Sequence, residues 1–301
     1  MYVDVERHAP AWGPFLRQHP YILPGIRRTW TATIFVAAFV AAAGLMTKPA
    51  LAEFEIQESQ VEKGEIELEY RGAVHWGFDK QTEAEGALQE EEEAPLRQSH
   101  DFEFQWGFAD RWLLSTALVT DQPAREEFNV SAVEAGLQYE LMQRESNGIG
   151  LAFRAEYGVA TRGGEADEVE FGPIVELAGG NLLLTFNPLF TDQVGDNATT
   201  DSLGFQYGWR AEYDFAKQWG IGVEMFGEIE DLANAGSFSD QSHSIGPTIF
   251  YSPTDEEEND AVDEVEPGPA QMELTLNLGV QFGLTDVTSD TALKFQGAMS
   301  F

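Results

Sequence analysis

Leu203, Phe205, Tyr207, Trp209, Ala211, Tyr213 and Phe215 take every second position of one stretch, and Gly204, Gln206, Gly208, Arg210, Glu212 and Asp214 fill the gaps. An apolar side chain at every second residue is the period of a β-strand with one greasy face. The alternation recurs along the chain. In 64–77, Ile66, Leu68, Tyr70, Val74 and Trp76 oppose Glu65, Glu67, Glu69, Arg71 and His75. Phe102, Phe104, Trp106 and Phe108 alternate with Glu103, Gln105 and Gly107, and further runs cover 112–120, 133–142, 149–160, 168–178 and 182–191. The series closes with 219–230, 243–252, 272–284 and 291–301, the last ending on Phe301.

These runs predict about twelve strands, mostly longer than the roughly 5–6 residues usual in soluble sheets. A tilted strand crosses a bilayer with about 9–11 residues. An even number of long, half-greasy strands predicts an all-β fold: a closed, antiparallel, up-and-down transmembrane β-barrel. Closure removes the unpaired edges that such a sheet would otherwise expose. Short turns near Asp110, Asn147, Gly180 and Lys217 are expected at the end that carries both termini, taken as the periplasmic side. Longer connections near 78–100, 121–127, 161–167, 192–201 and 231–242 are expected outside. The acidic stretch 253–270 breaks this asymmetry, either as a long inner insertion or because the strand count is off by one.

Residues 1–52 read differently. Arg27 and Arg28 precede a short apolar run, Ile34 to Met46, and Ala50-Leu51-Ala52 fits a small-residue cleavage site. The expectation is an N-terminal extension with an export signal cut between Ala52 and Glu53, and a barrel over 53–301.

Charge sharpens the picture. The chain has 17 Lys+Arg and 52 Asp+Glu. Residues 1–52 hold five basic and two acidic side chains, so 53–301 keeps 12 and 50, a formal net charge of −38. Such a surface repels nucleic acid and attracts cations, including those that bridge lipopolysaccharide. There is no cysteine, hence neither disulfide nor thiolate metal site. Aromatic residues are plentiful, with 21 Phe, 8 Tyr and 7 Trp, as the two interfacial girdles of a barrel require.

With the apolar face turned to lipid, the interior receives Glu65, Glu67, Glu69, Glu103, Glu134, Glu156, Glu212 and Glu224, together with Arg71, Arg154, Arg210 and Lys294. Charges kept from water must be paired or hydrated. Two readings of this lining follow: a narrow wet conduit favouring cations or polar solutes, or a small barrel laced shut by Glu–Arg pairs. The acidic runs Glu90–Glu93 and Asp255–Glu258 lack the ligand spacing of a calcium loop and read as solvated loops. Past the signal the histidines are His75, His100 and His243. Ser242 and Ser244 flank His243 but face away from it on a strand. No nucleophilic constellation, phosphate loop or Cys/His metal cluster is legible, so neither a cofactor nor a resident metal is expected.

Ser244-Ile245-Gly246-Pro247, the stretch Leu278-Gly279-Val280-Gln281-Phe282-Gly283-Leu284-Thr285-Asp286, and the closing Phe301 carry a resemblance. They resemble the tail of outer-membrane proteins grouped as phenol-degradation meta-pathway transporters. Ser289-Asp290 stands where that family commonly has Pro-Asp, and Met299-Ser300-Phe301 replaces its basic ending. The resemblance covers the last fifth of the chain and implies a barrel with a transport role. The expected function is a passive outer-membrane channel for small cationic or aromatic solutes. The alternatives are a closed surface-binding barrel with cation-binding acidic loops and, behind both, an outer-membrane hydrolase. Expected partners are outer-membrane lipid and lipopolysaccharide, small solutes, and the barrel-assembly machinery reading the strand that ends on Phe301.

Overall fold

The computed structural model describes residues 54–77, 96–123, 127–253 and 272–301. The expected signal with its Ala52–Glu53 cut, most of the connection after β1 and the acidic stretch within 254–271 lie outside the described residues.

Twelve strands form one closed barrel among the described residues. They are β1 (Ile66–Trp76), β2 (Leu96–Ala109), β3 (Trp112–Pro123), β4 (Asn129–Met142), β5 (Gly148–Ala160) and β6 (Asp167–Gly179). They continue as β7 (Leu182–Val194), β8 (Gly204–Ala216), β9 (Trp219–Ile229), β10 (Ser242–Tyr251), β11 (Glu273–Gly283) and β12 (Thr291–Ser300). Each strand pairs antiparallel with its neighbours in sequence, and β12 closes on β1 with Tyr70 opposite Gly297. The seam extends one residue further: Phe301 N–H donates to the Ile66 carbonyl at 2.9 Å, and Ile66 N–H donates back at 3.0 Å. With every strand flanked on both sides, no edge is left to recruit another chain.

Residue type dictates facing. Val133, Leu137, Phe153, Phe186, Ile221, Leu278 and Phe282 are exposed on the outer surface, while Glu134, Gln138, Arg154, Asn187, Glu224 and Gln281 are buried within. A soluble sandwich buries the first set; this barrel buries the second. The outward aromatics gather near the two rims, as membrane interfaces require. Trp112 packs on Tyr139 at 4.6 Å and Trp219 on Tyr251 at 4.5 Å at the end bearing Phe301. At the other end Tyr207, His243 and Phe238 pack together, His243 on Phe238 at 4.5 Å.

The end bearing Phe301 also holds the tight turns. Arg111 adopts a φ of 67° and Gly180 one of 60°, the left-handed backbone that two-residue hairpins demand. The strand count is twelve, so the acidic stretch leaves this same end, after Tyr251 beside Trp219, and returns at Glu273 opposite Ser300. Strand β2 begins at Leu96, within the connection expected over 78–100. His100 hid it, because this polar residue occupies an outward position, where Tyr70 meets its Nδ1 at 2.8 Å across Gly72. Two 3₁₀ turns, Leu232–Asn234 and Phe238–Asp240, shape the connection from β9 to β10.

Candidate functional site: the barrel interior

Residues 54–63 precede β1 and run inside the barrel. Phe54, the first described residue, lies in the half away from Phe301, 5.6 Å from the His75 ring and 5.1 Å from Phe226. The chain then descends along the inner wall. Gln57 N–H donates to Asn187 Oδ1 at 2.6 Å, and Asn187 Nδ2 donates to the Gln57 carbonyl at 3.1 Å. Gln138 Nε2 donates to the Glu58 carbonyl at 2.9 Å. The Ser59 hydroxyl bonds the Glu176 carboxylate, which Arg144 also reaches at 3.1 Å. Lys63 meets Asp110 at 2.9 Å on the rim, and Gly64 N–H donates to the Gly107 carbonyl at 2.6 Å as the chain reverses into β1. A side chain at Gly107 would strike the Glu62 carbonyl, so glycine lets this segment seat against the wall.

Two ion-pair networks occupy the wall. In the first, Glu103 bridges two guanidiniums, Arg71 Nη1 at 2.8 Å and Arg154 Nη2 at 3.1 Å. Arg71 also meets Glu69 at 2.6 Å, and Arg154 meets Glu156 at 2.6 Å. Glu55 of the inserted segment enters between them, 3.1 Å from Arg71 and 3.8 Å from Arg154. In the second, Glu224 accepts from Arg210 Nε at 2.9 Å and Thr248 Oγ1 at 2.6 Å, with Lys294 Nζ at 2.6 Å. Glu212 lies 3.8 Å from Arg210. The cations also cover rings: Arg210 lies 4.9 Å above Phe250 and Lys294 5.1 Å above Phe226.

Most of the interior candidates read from the alternation therefore fall into these two networks. Glu65 and Glu67 do not; they lie near the end bearing Phe301, Glu67 opposite Ser300. Glu134 also stays apart, buried but outside both networks. The alternation could not reveal Glu55, Gln57, Ser59 or Asn187, which act across the bore from a segment without strand periodicity. Arg162, which pairs with Asp121 at 2.9 Å, lies just past a strand end, where the period stops.

The interior is polar beyond its ion pairs. Gln281 is buried with both amide atoms lacking a partner, and Ser115 Oγ and Thr185 Oγ1 are likewise unmatched. Buried polar groups in this condition are ordinarily met by water. The wall is polar and carries more carboxylates than bases, and residues 54–63 run along it.

No protein-family model matches the chain, and no curated protein matches it. Solved structures do. The chain is similar to an outer membrane channel from Pseudomonas putida F1 at 7% identity, covering 84% of this chain and 100% of that one, with a TM-score of 0.49. It is similar to the NanC porin at 10% identity, covering 78% and 98%, with a TM-score of 0.42. Against the outer membrane protein Omp33 of Acinetobacter baumannii the identity is 10%, the coverage 80% and 99%, and the TM-score 0.38. The likeness is to outer-membrane channels and porins in general and is one of overall fold; the barrel assignment rests on the strand pairing itself. Among the described residues no group of three His, Cys, Asp or Glu side chains could hold a metal ion.

Proposed function

We propose that this protein is an outer-membrane barrel that passes small hydrophilic solutes, cations foremost, along an acidic lumen narrowed by residues 54–63. The observation that carries the reading is the inversion of facing: apolar side chains cover the outside, and carboxylates, guanidiniums and amides fill the inside. Such an inside is stable only if hydrated, and a hydrated bore through a membrane is a conduit. The excess of carboxylates over bases in the wall sets its preference for positive charge. The resemblance of the last strands to phenol-degradation meta-pathway transporters supports a transport role and leaves the solute to be decided by the wall. The polypeptide enters the outer membrane from the periplasm after an export signal is removed at Ala52–Glu53. The barrel-assembly machinery reads the terminal strand ending on Phe301, and the finished barrel sits among lipopolysaccharide.

Reconstitution into planar bilayers tests the reading. Stepwise, cation-selective conductance is expected, and it should grow when residues 54–62 are deleted. Absence of steps from both forms, with no solute uptake by proteoliposomes, defeats it. One observation favours a second reading, a closed surface barrel: Glu55, Gln57 and Ser59 all bond the wall across the bore. That reading predicts silent bilayers and calcium-dependent thermal stability.

A further inference from the structure

Gly158 stands on the inner wall between two carboxylates. Glu134 of β4 is its partner on one side and Glu168 of β6 its partner on the other. Two residues along, Glu156 of β5 is directly opposite Glu170 of β6. Residues two apart on a strand share a face, so four carboxylates surround a position with no side chain. A methyl group at Gly158 would stand 3.5 Å from Glu134 Cγ and 3.8 Å from Glu134 Oε1. Glu134 therefore leans over the glycine. Adjacent strands lie about 4.8 Å apart, so the space between Glu134 and Glu168 is a notch one strand wide.

Positive charge meets one of the four, Glu156, which Arg154 reaches at 2.6 Å. Like charges placed opposite one another destabilise a sheet, and the local base, Arg154, is committed to Glu103 and Glu156. Glu134 is only 8% exposed, and neither its carboxylate nor that of Glu168 makes a hydrogen bond or ion pair with any described residue. The charged groups that act most strongly on Glu134 are Glu156, Asp101, Glu55 and Glu170, every one a carboxylate. A buried carboxylate among carboxylates is neutralised either by a proton or by a cation from outside.

We propose that this notch binds the ammonium group of a small organic amine in the lumen. The proposal rests on the wet, cation-favouring interior argued above and names the solute class. Among the described residues no three acidic or histidine side chains converge tightly enough to hold a metal ion. An ammonium asks less of its site than a metal ion, because one or two carboxylate oxygens and water satisfy its three N–H groups. The bare glycine leaves room for the first methylene groups.

Calorimetric titration of the purified full chain in detergent, with diaminobutane, calcium chloride and sodium chloride as separate probes, tests this. Diaminobutane is expected to bind. The double variant Glu134→Gln/Glu168→Gln should weaken it by about tenfold or more, the scale of one lost charge-assisted contact. Gly158→Val keeps every carboxylate and fills the notch, so it should weaken binding comparably; Gly158→Ala replaces it if valine prevents folding. Glu273→Gln, at the end bearing Phe301, should change nothing. Heat-modifiable migration on gels verifies that each variant is folded. The proposal is overturned if diaminobutane does not bind, if the notch variants bind it as the native chain does, or if calcium binds and displaces it. Binding is read without conductance. A barrel that binds the amine yet passes no current defeats the transport reading alone, and one that conducts without binding defeats this proposal alone.

Discussion

Asn187 holds Gln57 by both ends of its amide, accepting from the Gln57 N–H at 2.6 Å and donating to the Gln57 carbonyl at 3.1 Å. A wall side chain thereby imitates the strand neighbour that the inserted segment lacks. Asn187→Leu leaves a buried N–H and a buried carbonyl unmatched, at a cost of about 1–3 kcal/mol. The Ser59–Glu176 contact remains, so the segment should loosen without leaving the bore. Amide exchange at Gln57 is expected to quicken by about tenfold or more while the barrel's thermal midpoint holds. An unchanged exchange rate would show that Asn187 does not fasten the segment.

Glu224 has no solvent exposure and relies on two cations, Arg210 and Lys294. Removing one partner of a buried pair typically costs about 3–5 kcal/mol. Because Arg210 and Thr248 stay in place, Lys294→Met is expected to cost about 2–3 kcal/mol in urea unfolding from detergent. Combined with Glu224→Gln it should cost less than the two single losses together, because each change removes a partner that the other already lacks. Two losses that simply add would refute the coupling.

Leu278 lies midway along β11 on the outer surface, 49% exposed. If lipid covers this face, Leu278→Arg should lower the unfolding free energy in bilayers by about 2–4 kcal/mol. Val287→Arg, in the connection after β11, should stay within about 0.5 kcal/mol of the parent. Equal tolerance at the two positions would remove the membrane from the picture.

Asp231 organises the connection from β9 to β10. Its carboxylate accepts from the Ala233 N–H at 2.8 Å and the Asn234 N–H at 3.1 Å, and it bonds the Ser202 hydroxyl. Hydrogen bonds from the Asn234 and Ser202 side chains, first of all, hold its pKa below the ordinary aspartate value. A depressed folded pKa means that the cap is complete above the unfolded value and is lost as pH falls through the folded one. Amide protection at Ala233 and Asn234 should therefore persist through mildly acidic pH and collapse only in stronger acid. Asp231→Ala should abolish it at every pH. Protection that fades near the ordinary aspartate pKa would contradict the cap.

The alternation of Leu203 to Phe215 was sufficient to place β8, since a period of two needs only neighbours in the chain. The same logic assigned Arg71, Glu103, Arg154 and Glu224 to one face of their strands. It failed where polar side chains sit outward, as His100 does at the start of β2, because Tyr70 satisfies the imidazole across a glycine. It also failed for residues 54–63, whose hydrogen bonds come from strands as much as 130 positions away.

Local periodicity alone determined that this chain makes about twelve long strands, each with a greasy side and a charged side, because facing on a strand depends only on parity along the backbone. The partners chosen within the lumen were decided by closure. Joining β12 to β1 and threading residues 54–63 through the bore brought Glu55 to Arg71 and Arg154, and left Glu134 beside a bare glycine. Those meetings are distances between remote parts of the chain, and no local pattern encodes them.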